Sequence, residues 1–157
     1  MTSQEHLLDL VAIRLTAERY ALAVDTHDAD AFAAQFTGDG VLEAPRGRFE
    51  GRAQLAGVPP MMKALYERTH HGVVAVVPVI DNMRARAQTY TLARHYYRDS
   101  GGVEQCYEMT VRYEDMFCKI AGEWLIANRK LVVVGDATYP TGSRRGAENQ
   151  PEKMDAP

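Results

Sequence analysis

The residues best suited to chemistry are an aspartate and three histidines that interrupt apolar stretches of the chain. Asp25 ends one such stretch, His70 and His71 open another, and His95 lies within a third. Imidazole changes its charge near neutral pH, and an adjacent carboxylate can fix which ring nitrogen carries the proton. An acid and imidazoles that face an apolar cavity can therefore move protons on a small molecule. We expect proton transfer on an apolar substrate, with an elimination as the leading prediction.

Each of these residues also has a purely structural interpretation. Asp25 could cap the turn into a following helix, as aspartates often do. His71 could open a strand and bond only to backbone groups. Because neighbouring residues of a strand face opposite ways, only one of His70 and His71 can enter a cavity, and the residues alone leave that choice open.

The elements that must position these side chains begin with helices. An apolar arc over 4–24 predicts a first helix, with Ser3 as its N-cap. Asp28 predicts the N-cap of a short second helix, and Gly38-Asp39-Gly40 predicts a turn after it. Asp25 would then lie where the first helix gives way to the second.

A weak hairpin and a disturbed third helix come next. The strands of the hairpin are predicted at 41–44 and 48–50, on either side of a Pro-Arg-Gly turn. The third helix is predicted over 52–66, and Gly57 and Pro59-Pro60 disturb it.

The rest of the chain predicts a sheet. Four long β-branched or alternating segments are separated by short turns, a pattern typical of an antiparallel meander: 69–80, 83–99, 103–120 and 123–134. Helices followed by such a sheet indicate an α+β fold with the helices on one face. Residues 138–157 are rich in Gly, Pro and charge and predict a flexible tail, so one domain is expected over 1–137.

Strand alternation predicts which polar side chains share a surface. One face of the 83–99 segment is small and mildly polar and includes His95, whereas the other face carries arginines. His95 is therefore expected on a concave, cavity-facing surface. In the last strand, Arg129 shares its predicted face with Leu125, Ala127 and Leu131 and would be a lone charge there. Buried charges are paired, so Arg129 needs a carboxylate, and Asp25 is one candidate.

Composition excludes several classes of function. The chain has 157 residues, 46% apolar and 25% charged, which suits one globular domain. A net charge of -3 and the lack of a basic stripe argue against nucleic-acid binding. No apolar run approaches the roughly 20 residues of a membrane span, so we expect no membrane partner and a cytoplasmic location. Cys106 and Cys118 lack metal-ligand spacing and are expected to be reduced thiols.

The order of elements and several motifs resemble the nuclear transport factor 2-like superfamily, also called SnoaL-like, which has a cystatin-like fold. The resemblance covers about 5–135 and rests on four motifs: Asp25-x-x-Asp28-x-x-x-Phe32-x-x-x-Phe36-x-x-Asp39-Gly40, Phe49-Glu50-Gly51, Thr69-x-His71 and Gly122-Glu123-Trp124-Leu125-Ile126-Ala127. It implies a cone of three helices packed on a curved, mostly antiparallel sheet that encloses a pocket. This fold hosts enzymes, binders and scaffolds, so the activity needs evidence of its own.

Within that superfamily the chain is most similar to the branch of scytalone dehydratase, hexachlorocyclohexane dehydrochlorinase and bile acid 7α-dehydratase. The branch pairs an Asp after the first helix with a His at the start of a strand, which implies an Asp25–His71 dyad and favours His71 over His70. It also implies that His95 and Tyr20 are catalytic, as acid or oxyanion partners. Tyr20 and Asp25 would point roughly 140° apart on an ideal helix, so their convergence requires a break near residue 23.

The resemblance also has departures. Val24 and the 44–45 region stand where scytalone dehydratase has two tyrosines, and Tyr20 replaces the lysine of the dehydrochlorinase. No particular substrate therefore transfers. Five residues are expected to contribute to the substrate site: Arg129, Val24, Tyr107, Trp124 and His70.

The resemblance implies a cofactor-independent lyase that eliminates water, or a similar leaving group, from a small hydrophobic hydroxylated ring compound such as a polyketide or steroid. No metal is expected, and a site made by Asp25, His71 and His95 is the metal-binding alternative. A ketosteroid-isomerase-like enzyme would need a second carboxyl in the cavity. A non-catalytic ligand-binding or assembly subunit would have a filled cavity, or an acid and imidazole too far apart to bond. The arginine-rich outer face suggests a homodimer or homotrimer.

Overall fold

A computed structural model describes residues 2–141 and divides them into four helices and six strands. The helices are α1 (Ser3–Asp25), α2 (Ala29–Ala34), α3 (Gly51–Leu55) and α4 (Val58–Leu65). The strands are β1 (Phe36–Ala44), β2 (Gly47–Glu50), β3 (Arg68–Asp81), β4 (Arg84–Arg98), β5 (Glu104–Ile120) and β6 (Glu123–Pro140).

The strands form one sheet, in the order β2-β1-β6-β5-β4-β3. Strands β1 and β6 run parallel, and every other pair is antiparallel. Helix α1 packs against the sheet through residues spaced three or four apart, among them Ile13, Ala17, Tyr20 and Val24. The predicted α+β architecture, with helices on a mostly antiparallel sheet, is confirmed.

The first helix begins one residue earlier than predicted. Thr2, not Ser3, is the N-cap, because its hydroxyl accepts the Glu5 backbone N–H at 3.2 Å while the Glu5 carboxylate accepts the Thr2 backbone N–H at 2.7 Å. This reciprocal capping box satisfies two N–H groups of the helix end. The helix then continues unbroken to Asp25, and Asp28 caps α2 as predicted.

The prediction of a single third helix is wrong. The segment divides into α3 and α4, which makes four helices rather than three. Gly57 is the N-cap of α4, and Pro59 and Pro60 occupy its first turn. Proline has no N–H to donate and fits the first turn of a helix but not its interior, so the proline pair begins a new helix.

The predicted turn at Gly38-Asp39-Gly40 is also wrong, because these residues lie inside β1. The pairing of β1 with β6 shifts register between Phe36 and Val41, so the strand is irregular there. A Cβ on Gly40 would lie 2.8 Å from the Phe36 Cβ, which explains why glycine occupies this position. The hairpin of β1 and β2 is confirmed.

The faces of β4 follow the predicted alternation, and those of β6 do not. Six alternate residues of β4 are buried: Ala85, Ala87, Thr89, Thr91, Ala93 and His95. In β6, Phe117 pairs with Ile126 and Met116 with Asn128, so one extra residue bulges out of the ladder. The bulge places Arg129 on the buried face that carries Ile126, so that Arg129 keeps Leu131 as a neighbour on its face but not Leu125 and Ala127.

Strand β6 ends at Pro140, three residues beyond the predicted domain boundary at 137. The remainder of the predicted tail, 142–157, lies outside the described residues. Among the described residues, no helix combines the length and the apolar character that a membrane crossing requires.

Candidate active site

The Asp25 carboxylate and the His71 imidazole are joined by a direct hydrogen bond. Asp25 is the last residue of α1, and His71 lies near the start of β3. His71 Nδ1 is 2.7 Å from Asp25 Oδ1, and the His71 backbone N–H donates to Asp25 Oδ2 at 2.8 Å. The Thr69 hydroxyl donates to Oδ1 at 2.8 Å. Three hydrogen bonds from one strand therefore fix the carboxylate at the end of the helix.

The same contacts keep Asp25 ionised. Burial raises the pKa of the Asp25 carboxyl, but hydrogen bonds and charge from His71, together with the Thr69 hydroxyl, outweigh it, so the pKa lies below its usual value. An ionised carboxylate only accepts hydrogen bonds, so Nδ1 of His71 carries a proton and Nε2 of the neutral ring has the lone pair. His71 lines a cavity. The pair thus offers the cavity a nitrogen that can accept a proton.

His70 does not share this arrangement. It is exposed and, as the neighbour of His71 in β3, faces the opposite side of the sheet. The expectation that His70 contributes to the substrate site is wrong for this reason.

His95 lies on β4, directly across from Thr69 in the ladder, and is 2% exposed. Its Nδ1 bonds to the Tyr107 backbone carbonyl at 3.1 Å, and its ring meets that of His71 edge-on, with centroids 5.3 Å apart. A carbonyl only accepts, so Nδ1 carries the proton. Burial, with a smaller contribution from the nearby His71, lowers the pKa of His95 to about 4. His95 is therefore neutral at pH 7, with Nε2 as an acceptor.

Tyr20 lines the cavity although α1 has no break near residue 23. That break was expected only so that Tyr20 and Asp25 could point at each other. Helix α1 is continuous between them, and Asp25 bonds to His71 and Thr69, not to Tyr20. Burial raises the pKa of Tyr20, so its hydroxyl keeps its proton and can donate to a substrate oxygen. Tyr113, which the sequence did not single out, lines the same wall, with its ring 5.9 Å from that of Tyr20.

Arg129 pairs with Asp115 and not with Asp25, so the predicted partner is wrong. Its Nε and Nη2 each donate to the Asp115 carboxylate at 2.8 Å, and the Thr89 hydroxyl donates to the same carboxylate at 2.6 Å. The guanidinium carbon lies 4.3 Å from the ring centroid of Tyr20 and 4.4 Å from that of Tyr113. Arg129 lies behind the tyrosine wall, so the expectation that it lines the substrate site is wrong.

Trp124 is also absent from the cavity wall. Its indole Nε1 donates to the Asp9 carboxylate at 2.8 Å, and Lys119 Nζ lies 2.7 Å from the same oxygen. The expectation that Trp124 binds substrate is wrong, because this contact anchors the side chain between β6 and α1. It links the sheet to the helix that carries Tyr20 and Asp25.

The cavity has a volume of about 320 Å³, within the usual range for small-molecule sites. Five predicted residues line it: Tyr20, Val24, His71, His95 and Tyr107. Most of the remaining wall is apolar, and includes Leu42, Phe49, Val58, Met61, Met62, Met109 and Leu131. Sequence reasoning missed Arg46, Tyr66 and Tyr113 in the wall. The Pro45-Arg46-Gly47 segment predicts only a hairpin turn by its turn residues, although an arginine at a turn tip is a usable signal for a binding residue.

The geometry of the cavity bears on three alternative functions: an isomerase, a non-catalytic scaffold and a metal-binding protein. No Asp or Glu is among the described residues of the cavity wall, whereas an isomerase of the ketosteroid type would need one. A scaffold was expected to have a filled cavity or a separated acid and imidazole, and neither is found in the described part of the chain. Within residues 2–141, no three His, Cys, Asp or Glu side chains are grouped as metal ligands. The metal-binding alternative used Asp25, His71 and His95 as ligands, but the Asp25 carboxylate is hydrogen-bonded to the His71 ring.

Sequence comparison identifies one family. The model of the SnoaL-like domain family matches residues 5–130, most of the helices and sheet described above. No curated protein matches the chain.

Solved structures show the same fold at low sequence identity. A protein provisionally named scytalone dehydratase, from Novosphingobium aromaticivorans, is 20% identical with a TM-score of 0.75, over 91% of this chain and 94% of that one. Hexachlorocyclohexane dehydrochlorinase LinA-type3 from Novosphingobium barchaimii is 12% identical with a TM-score of 0.78, over 91% and 97%. A protein of unknown function with a cystatin-like fold, from Nostoc punctiforme, is 21% identical with a TM-score of 0.68, over 85% and 93%. The cystatin-like fold is thereby confirmed.

Proposed function

Because the chain belongs to the SnoaL-like domain family, we propose that it is a lyase of the dehydratase type that uses Asp25 and His71 as a catalytic dyad. Its substrate would be a small hydrophobic ring compound with a hydroxyl group, and no cofactor would be required. The observation that carries the proposal is the 2.7 Å bond between His71 Nδ1 and Asp25 Oδ1 at the wall of an apolar cavity. Similar structures with dehydratase and dehydrochlorinase names support the same class of reaction.

The proposed reaction is a β-elimination. His71 Nε2 takes a proton from the carbon beside a carbonyl, and Asp25 stabilises the imidazolium that forms. The electron pair of the broken C–H bond forms the C=C bond, and the C–O bond to the hydroxyl group breaks. The imidazolium returns its proton to the departing oxygen, which leaves as water, and His71 is neutral again.

Two further residues would hold substrate oxygens. Tyr20 would donate a hydrogen bond to the carbonyl oxygen as negative charge develops there. His95, neutral and with Nδ1 already bonded to a carbonyl, would accept a hydrogen bond at Nε2 from a substrate hydroxyl. This role for His95 is positioning, since a neutral ring without a proton on Nε2 has none to donate there.

The test uses 3-hydroxy-1-tetralone, a bicyclic β-hydroxy ketone that becomes 1-naphthol on loss of water. Formation of fluorescent 1-naphthol is measured for the unaltered protein, His71→Ala and His70→Ala. His70→Ala is the matched control, because it removes the same side chain at the next position of the strand on the exposed face. We expect His71→Ala to lower kcat/KM by about 10²–10⁴-fold and His70→Ala to leave it unchanged. Equal activity in all three proteins would refute the dyad.

We also propose that the chain self-associates as a homodimer or homotrimer. Apolar side chains are exposed on α1 and on β3, among them Leu7, Leu8, Val74 and Val79. Association with a second copy would remove such side chains from water, which is favourable. Sedimentation velocity on the full chain tests this proposal, and a single monomeric species at micromolar concentration would contradict it.

A further inference from the structure

Arg46 is the one charged residue among the described residues that line the cavity. The rest of the wall consists of apolar side chains, proline, tyrosines and two histidines, of which His95 is neutral. Arg46 occupies the turn between β1 and β2 and is exposed, so it stands where the cavity opens to solvent. A substrate that fills the apolar interior would therefore meet a single positive charge, at the entrance.

The Arg46 side chain is held in place by one neutral partner. Its Nη2 donates to the Tyr66 hydroxyl at 2.6 Å, and its guanidinium carbon lies 5.7 Å from the Tyr66 ring centroid. Tyr66 in turn packs on His95, with ring centroids 4.7 Å apart. The guanidinium is thus positioned beside the aromatic side chains that lead to His95 and His71.

Most other arginines near the ends of the sheet are paired, and Arg46 is not. Arg48, two residues further on in β2, bonds to Glu43 and Glu50, and Arg68 bonds to Glu104. Among the described residues, Arg46 has no carboxylate within ion-pair distance, and its Nε and Nη1 have no hydrogen-bond partner. Nη2 has a second N–H besides the one that Tyr66 accepts, and together with the neighbouring N–H of Nε or Nη1 it can form the fork that matches carboxylate geometry.

We propose that Arg46 binds a carboxylate on the substrate, so that the natural substrate is a cyclic acid whose ring enters the cavity while its carboxylate stays at the entrance. The inference rests on the proposed function, because it takes the same cavity as the substrate site. It assigns Arg46 as a specificity-determining residue and Tyr66 as the residue that positions it. The positive charge of Arg46 also acts on His95, where it helps to keep the ring neutral.

A pair of probes separates charge from shape. 2-Naphthoate carries a carboxylate at pH 7, and 2-naphthamide is its neutral counterpart of nearly equal size. A dry cavity of roughly 150 Å³ can hold benzene, so two fused rings suit a cavity of about 320 Å³. Their dissociation constants are measured by isothermal titration calorimetry at low salt for the unaltered protein, Arg46→Gln and Arg48→Gln.

We expect Arg46→Gln to weaken naphthoate binding about tenfold, the lower end for a charged hydrogen bond because the site is open to water. The same variant should leave naphthamide binding unchanged. Arg48→Gln removes an equal charge two residues away in β2, outside the cavity wall, so both probes should bind as before. Added salt should weaken naphthoate binding more than naphthamide binding.

Three results would overturn the inference. Naphthoate binding that is unchanged in Arg46→Gln would remove the charge contact. An equal loss for both probes would make Arg46 a part of the cavity shape only. No naphthoate binding to the unaltered protein at millimolar concentration would also count against it. The readout is binding and not turnover, so loss of activity in His71→Ala with no naphthoate preference would leave the lyase proposal intact while Arg46 loses its role.

Discussion

Replacing Asp25 by asparagine tests whether the carboxylate sets the protonation state of His71. Asp25 accepts hydrogen bonds from His71 Nδ1, the His71 backbone N–H and the Thr69 hydroxyl. An amide has one oxygen and one NH₂ group, so it cannot accept at both positions. One orientation sets NH₂ against the backbone N–H, and the other sets it against Nδ1.

Each orientation has a calculable consequence. With NH₂ against the backbone, a partly buried N–H loses its acceptor, which costs about 1–3 kcal/mol of unfolding free energy. With NH₂ against Nδ1, the ring adopts the other tautomer and Nε2 carries the proton, so His71 cannot act as a base. In both orientations the imidazolium loses its counter-charge. We expect kcat/KM for 1-naphthol formation to fall by about 10²–10⁴-fold, which corresponds to about 3–5 kcal/mol in activation free energy.

The control is Asp28→Asn, which replaces the same side chain three residues further on. Asp28 caps α2 by accepting the Ala31 backbone N–H at 2.9 Å, and asparagine is an equally good cap. Activity and thermal stability should therefore stay near those of the unaltered protein. If Asp25→Asn keeps its fold by circular dichroism and its activity within threefold, the carboxylate does not act through His71 and the reasoning is refuted.

Two predictions concern stability. The pKa of His95 lies at about 4 in the folded chain against 6.5 ordinarily, so an unfolded chain takes up a proton below pH 6.5 that the folded chain refuses until about pH 4. The free energy of unfolding should thus fall by about 3 kcal/mol between pH 6.5 and 4. Urea titrations of His95→Phe should show a smaller fall over the same pH range. If the unfolding free energy of the variant falls as steeply with pH as that of the unaltered protein, the lowered pKa of His95 is contradicted. Arg129→Met leaves the Asp115 carboxylate buried with Thr89 as its one remaining partner and should lower the free energy of unfolding by about 3–5 kcal/mol. Adding Asp115→Leu removes the unpaired charge and should restore most of that loss. A double variant that is less stable than Arg129→Met would contradict the pairing.

Local patterns predicted several of the elements at and around the candidate site. The apolar arc of α1, the cap at Asp28 and the alternation of β4 depend on neighbouring residues, and the structure has all three. The Thr69-x-His71 motif indicated the histidine through the family resemblance, and in the structure its spacing lets a hydroxyl, a backbone N–H and a ring on one strand reach one carboxylate. The helix, the cap and the strand alternation are visible in sequence because the residues that define them are few and close together along the chain.

The partner of Arg129 could not be found in the same way. One extra residue in β6 reverses which side chains face the core, and nothing in the sequence of β6 marks the bulge. Without the register that the bulge sets, Asp115 on the adjacent strand is not visible as the partner, and Asp25 is only one candidate carboxylate. Trp124 was misplaced for a related reason, since its partner Asp9 lies 115 positions away. The periodicity of apolar residues in a sequence does not predict contacts that are fixed by strand register and long-range packing.

The two histidines of the cavity also show why residue type alone does not assign a role. Their rings lie 5.3 Å apart, and both donate from Nδ1, His71 to a carboxylate and His95 to a backbone carbonyl. A carboxylate stabilises the imidazolium that follows proton abstraction, whereas a neutral carbonyl fixes the tautomer with little gain for the charged ring. Two imidazolium rings at this distance would also repel each other. Under the proposed function, His71 is therefore the ring that takes the proton, and the elimination would return that proton through the same ring or through a tyrosine hydroxyl.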